Sequence, residues 1–90
     1  MIFKKSSIPY RLKTFVTLRD KGMCQCCGKV GKIRPRFGCY FLAYEKIYGD
    51  WVSFDIGHIY PESLGGETTA ENLLLMCRRC NRRLGANYAL

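Results

Sequence analysis

Ninety residues and a mass of 10.4 kDa hold one small domain, and a chain this short buries only about 60% of its unfolded surface. Hydrophobic residues at 48% and charged ones at 24% describe a globular chain rather than a disordered one. Fifteen Lys and Arg against seven Asp and Glu leave a net charge of +8, alongside six cysteines. These figures exclude a multidomain enzyme and a membrane-spanning protein, and leave a stapled basic domain whose partner is a polyanion.

From the N-terminus, MIFKKSSIPYRLK carries basic residues with no apolar stretch behind them, and no run in the chain approaches 18 apolar residues. The expectation is an intracellular, reducing compartment, with no secretion signal and no membrane partner. There, closely spaced cysteines bind metal more often than they form disulfides. Ser7-Ile8-Pro9 reads as a helix start, with Ser7 as N-cap and Pro9 in the first turn. Leu12, Phe15, Val16 and Leu18 give an apolar stripe up to Asp20, and Gly22 suits the C-terminal cap. Met23 to Gly28 forms a tight turn.

Residues 29–50 are the least legible part of the chain. Gly31, Pro35, Gly38 and Gly49 punctuate them, and Phe41, Tyr44, Ile47 and Tyr48 would line a helix or a strand equally well. Trp51 to Ile56 reads as a strand running straight into Gly57-His58-Ile59. Pro61 to Gly66 is loop chemistry, Asn72 to Met76 a second short strand, and Arg78 to Leu84 a short helix stopped by Gly85. The aromatics Phe37, Tyr40, Phe41, Tyr44 and Trp51 are expected in the core rather than on a base-stacking surface.

Charge is segregated along these elements. Residues 1–36 hold ten basic side chains and one acid, residues 37–76 hold Lys46 against six acids, and residues 77–90 hold four arginines and no acid. Basic ends around an acidic middle suit a protein that grips phosphates and keeps carboxylates for another purpose. For any single Lys or Arg, solvated surface charge is the rival reading.

Cys24-x-x-Cys27 and Cys77-x-x-Cys80 are two knuckles, each able to place two thiolates on one ion. Four sulfurs at about 2.3 Å make a closed tetrahedral Zn²⁺ site, structural because no position stays open. Three disulfides or a redox pair are the rivals. Adjacent Cys26 and Cys27 make a disulfide ladder awkward, and a redox pair leaves the second knuckle unexplained. Cys26 and Cys39 are bystanders.

His58 is the chain's one histidine, and a lone histidine is more often structural than catalytic. Its place at a strand end, before a loop and near Asp55, shifts those odds, since an imidazole takes a proton from water near neutral pH. Hydrolysing a phosphodiester also requires a cation at the developing charge, and Asp55 and Asn81 offer oxygens to Mg²⁺ or Mn²⁺. Arg78, Arg79, Arg82 and Arg83 would contact phosphates from the last helix.

The order Cys24-x-x-Cys27-Gly28, Gly57-His58-Ile59 with Pro61 and Gly65-Gly66, Glu71-Asn72-Leu73 and Cys77-x-x-Cys80-Asn81 resembles the HNH endonuclease family over residues 19–86. The resemblance implies an α+β fold: a small zinc-stapled ββα-metal domain with an N-terminal helix. Residues 1–90 would form a single nuclease domain, with a basic helix in 1–22, an insertion at 29–50 and the ββα-metal core in 51–86. It implies a catalytic set of His58 as general base, Asn72 bracing the loop between strands, and Asn81 ligating the catalytic ion. It implies DNA as the partner, and the insertion would bear on substrate choice or on pairing into a homodimer.

One position departs from the family. Members often carry Asp or His, a metal ligand, directly before the histidine, and here Gly57 offers no side chain. Asp55 lies two residues earlier on the same strand face and is the candidate substitute; an ordinary strand-end residue is the equal alternative. Gly57 keeps a second function open, a zinc-stapled module that binds nucleic acid without cutting it. A zinc-ribbon-like protein-interaction domain is the third, and it leaves His58, Asn72 and Asn81 unexplained.

Overall fold

The computed structural model describes residues 8–84. Helix α1 spans Tyr10–Arg19, and the Pro9 carbonyl accepts from the backbone N–H groups of Leu12 and Lys13, both at 3.0 Å. Ser7, the expected cap, lies outside the described residues. At the other end the Gly22 N–H donates to the Thr17 carbonyl at 2.9 Å, so the helix stops where Gly22 indicates. Only half of the apolar stripe is buried, however. Phe15 and Leu18 are 53% and 49% exposed, while Val16 and Thr17 are buried and Leu12 is partly covered.

The stretch at 29–50 that the sequence leaves open is filled by a hairpin sheet. Strands β1 (Lys32–Arg36), β2 (Tyr40–Ile47) and β3 (Asp50–Ser53) pair antiparallel in the order β1-β2-β3. Pro35 is tolerated because β1 is an edge strand, where a missing N–H costs no ladder bond. A second, two-stranded sheet joins β4 (Asp55–His58) to β5 (Leu73–Met76), and α2 (Arg78–Leu84) follows. Gly85 lies outside the described residues.

The expected continuous strand from Trp51 to Ile56 is therefore two strands in two sheets. The switch is made at Phe54, whose ring is buried and whose N–H donates to the Ala43 carbonyl at 2.7 Å. Burying that ring holds the hairpin sheet against the rest of the core, at about 1.5–3 kcal/mol for a fully buried side chain of this class. The expectation for the aromatics is also corrected: Phe37 is 67% and Trp51 48% exposed, and Tyr40, Phe41 and Tyr44 are half-buried. They lie on a sheet that is too narrow to be covered on both faces.

Among the described residues the buried apolar set is Val16, Ala43, Phe54, Leu73, Leu75 and Met76, with Cys24, Cys77 and Cys80. The outer edge of β5 is closed by polar partners. The Leu75 N–H donates to the Asp20 carboxylate at 3.0 Å, and its carbonyl accepts from the Gln25 N–H at 2.9 Å. Arg19 donates to the Leu73 carbonyl at 2.6 Å and to that of Ala70 at 2.8 Å while pairing with Asp20 at 2.8 Å. Asp20→Ala leaves the Leu75 N–H without its acceptor. A loss of about 1–3 kcal/mol is expected, read as a lower urea midpoint with unchanged slope.

Candidate functional site

The two cysteine knuckles meet. The sulfurs of Cys24, Cys27, Cys77 and Cys80 all lie within 4.8 Å of one another, with Cys27 Sγ and Cys77 Sγ 3.8 Å apart. Four thiolates at 2.3 Å from one ion stand about 3.8 Å apart in a tetrahedron, so the donor set fits Zn²⁺. The local fold builds the first knuckle from backbone bonds: Cys24 N–H to the Lys29 carbonyl at 2.7 Å and Gly28 N–H to the Cys24 carbonyl at 2.8 Å. Burial pushes the Cys24 thiol up, but backbone N–H donors of Cys77, Cys27 and Cys26 outweigh it and bring the pKa down to about 6. Burial raises Cys77 and Cys80. Partial burial, then the charges of Cys24 and Cys27, also raise the Cys26 thiol above its ordinary value. Cys39 is exposed and distant in the fold, on the β1–β2 turn.

Strand β4 presents the remaining candidates on two faces. Alternation puts Asp55 and Gly57 on one face and His58 on the other. On the first face the Asn81 amide, in α2, donates to Asp55 Oδ2 at 3.1 Å. A Cβ placed on Gly57 would lie 3.1 Å from Asn81 Oδ1 and 2.0 Å from Met76 Cε. The position before His58 thus faces Asn81, and the end of the Met76 side chain fills the space a ligand there would take. Asp55 and Asn81 line a cavity of about 330 Å³ together with Lys13, Thr17, Leu42 and Phe54.

Of the four arginines assigned to phosphate contacts, Arg79, Arg82 and Arg83 are exposed and Arg78 is not free to reach out. Its Nη2 stands 3.9 Å from Asp55 Oδ1 and 3.4 Å from the Ser53 carbonyl, and its Nε is buried without a partner among the described residues. The start of α2 is held from the hairpin sheet. Buried Glu45 on β2 accepts from the Arg78 backbone N–H at 3.2 Å with Oε2, and from Lys29 Nζ at 2.6 Å with Oε1. The hydrogen bond to Glu45 raises the Lys29 pKa above its ordinary value.

On the second face of β4, His58 Nε2 lies 3.0 Å from the Thr68 hydroxyl, and Nδ1 has no partner among the described residues. No hydrogen bond or ion pair joins His58 to Asp55 or Asn81. Asn72 ties down the connecting loop: Oδ1 accepts from the Tyr60 N–H at 2.8 Å, and Nδ2 donates to the carbonyls of Glu67 at 2.7 Å and Tyr60 at 3.2 Å. The same loop requires Gly66, since a Cβ there would meet the Tyr60 carbonyl oxygen at 1.8 Å. Asn72→Ala removes all three bonds. The expected result is a loss of about 1–3 kcal/mol, with the amides of residues 60–67 exchanging hydrogen faster than those of β4 and β5.

Thr68, Lys13 and Glu45 are absent from the residues singled out in the sequence. A threonine in a polar loop, a lysine on a helix and an acid on a strand carry no spacing signal; only the fold brings them to the site.

The HNH endonuclease family model matches residues 24–87. The chain is 27% identical over 73 residues to the type IV methyl-directed restriction enzyme EcoKMcrA of Escherichia coli. That match covers 81% of this chain and 22% of the relative, so the chain spans under a quarter of the relative's length.

Proposed function

Because the chain belongs to the HNH endonuclease family, we propose that it is a metal-dependent endonuclease hydrolysing phosphodiester bonds in DNA, with His58 as general base. The observation that carries the reading is the division of β4. Asp55 and Asn81 are bonded on one face of the strand and His58 Nδ1 is unpartnered on the other. In-line displacement needs its nucleophile and its leaving oxygen on opposite sides of phosphorus, and a phosphate at this strand end would be flanked in that way.

In the tautomer that carries its proton on Nε2, His58 donates to the Thr68 hydroxyl, which leaves the Nδ1 lone pair for a water proton. As that proton moves to Nδ1, the water oxygen bonds to phosphorus and the bond to the leaving deoxyribose oxygen breaks, that oxygen taking up a proton from solvent water. Asp55 and Asn81 supply hard oxygen donors, and their place beside Gly57 suits Mg²⁺ or Mn²⁺, which when bound stabilises the negative charge that builds on the phosphate. Asn72 positions the loop that carries Thr68. Arg79, Arg82 and Arg83 steer the backbone from exposed positions, and Zn²⁺ in the cysteine cluster holds α2 and therefore Asn81. No helix among the described residues is long and apolar enough to cross a membrane.

The test is nicking of supercoiled plasmid with Mg²⁺ or Mn²⁺. Wild-type protein should nick, and Asn81→Ala and Asp55→Ala should each lose about 100-fold or more, the scale of removing one transition-state contact. Full activity in both variants would overturn the ligand assignment. The Met76 methyl over Gly57 favours a second reading, a domain that grips DNA without cutting it. That reading calls for salt-sensitive binding and no product with either ion.

A further inference from the structure

Trp51 and the cations beside it on the hairpin sheet make none of the bonds around His58, Asp55 and Asn81. Register fixes its members. Lys32 opposes Tyr44, Arg34 opposes Leu42 and Lys46 opposes Trp51, so these side chains share one face. All five residues of β1 are exposed, as are Lys46 and Trp51. The acids of these strands, Glu45 and Asp50, alternate onto the other face. Over the indole of Trp51 lie Arg34 Cζ at 5.3 Å, Lys46 Nζ at 5.4 Å and Lys32 Nζ at 6.0 Å from the ring centroid.

Each exposed cation–π contact contributes about 0.5–1 kcal/mol, and three like charges about one ring repel one another. With no carboxylate on that face, the charge balance calls for an anion from outside. A half-exposed indole with long, flexible cationic side chains over it joins a flat stacking surface to phosphate donors, the pairing that holds single-stranded nucleic acid. A duplex keeps its base faces covered, so the ring can stack only on an unpaired base.

We propose that the Trp51 face of the hairpin sheet binds single-stranded DNA, stacking one unpaired base on the indole and pairing the adjoining phosphates with Lys32, Arg34 and Lys46. This rests on the reading of DNA as the partner and extends it to a strand region beside the cutting site.

Trp51 is the sole tryptophan, so its fluorescence reports the contact directly. Oligothymidylate is titrated into zinc-loaded protein without Mg²⁺ or Mn²⁺, where no cleavage intervenes. Saturable quenching is expected, stronger than with a duplex of equal length. Replacing Lys32, Arg34 or Lys46 by Gln should each flatten the slope of log affinity against log salt by about 0.7. By anisotropy of labelled oligothymidylate, Trp51→Leu should weaken binding roughly 5- to 150-fold, and Trp51→Phe should restore part of it. Absence of quenching, equal quenching by duplex or by inorganic polyphosphate, or unchanged affinity in Trp51→Leu would each overturn the proposal. Running the titration in His58→Ala keeps the two readings apart. Quenching without plasmid nicking in the wild type would remove the nuclease reading alone, and nicking without quenching would remove the stacking face alone.

Discussion

Complete chelation of the ion from Cys24, Cys27, Cys77 and Cys80 is expected to unfold the domain. Structural Zn²⁺ contributes about 10–16 kcal/mol, whereas the whole net stability of a domain is about 5–15 kcal/mol. The balance is unfavourable here because three of the nine buried apolar residues in the described part are the ligands Cys24, Cys77 and Cys80. Without the ion, the chain keeps only Val16, Ala43, Phe54, Leu73, Leu75 and Met76 as a fully covered core. Far-UV circular dichroism during titration with a chelator should show one cooperative loss, reversed by Zn²⁺ and not by Mg²⁺. Cys80→Ser should behave like the chelated protein, while Cys39→Ser, on an exposed turn, should behave like the wild type. A fold that persists after complete zinc removal would defeat the structural role given to the cluster.

The second large effect is on cleavage with no effect on the fold. His58→Ala should reduce plasmid nicking by about 10²–10⁴-fold, the usual contribution of a positioned general base. His58 is half-buried and its one side-chain hydrogen bond is to Thr68, so thermal unfolding should shift little. Thr68→Val keeps the shape of the side chain and removes the hydroxyl. It should slow cleavage less than His58→Ala does, because the imidazole remains but its ring is no longer held. Added imidazole should recover part of the activity of His58→Ala and none of that of Asn81→Ala. Cleavage that survives His58→Ala unchanged would remove the histidine from the mechanism.

The parts legible in the sequence are those where one atom type at a fixed spacing does the chemistry. The knuckles Cys24/Cys27 and Cys77/Cys80 meet as their spacing indicates, and Asn72 bonds to Tyr60 and Glu67 across the loop. Asp55 and Asn81, paired on paper only as oxygen donors, are in hydrogen-bond contact. The hairpin sheet was illegible for a physical reason. Every residue of β1 is exposed, so there is no buried face to impose alternation, and Pro35 argues against a strand unless the strand is known to be an edge. Helix α1 misled in the opposite direction. Of its apolar stripe Leu12, Phe15, Val16 and Leu18, the core takes Val16 and part of Leu12, with Thr17 buried beside them, and leaves Phe15 and Leu18 exposed. The break at Phe54 was hidden because apolar and β-branched residues continue across it. Arg78 looked like its neighbours in sequence, and only its position at the first turn of α2 turns it toward Asp55.

Cys27 and Cys77 are 50 positions apart, and all five strands lie between them. An ion held by both knuckles would therefore tie the chain into a ring, with Asp55, His58 and Asn72 on its circumference. Ring closure of this kind means that the backbone can be cut once without being divided. A protease nick between Pro61 and Gly66 would leave two pieces still fastened through the sulfurs. They should elute together on a sizing column and separate only when the ion is withdrawn.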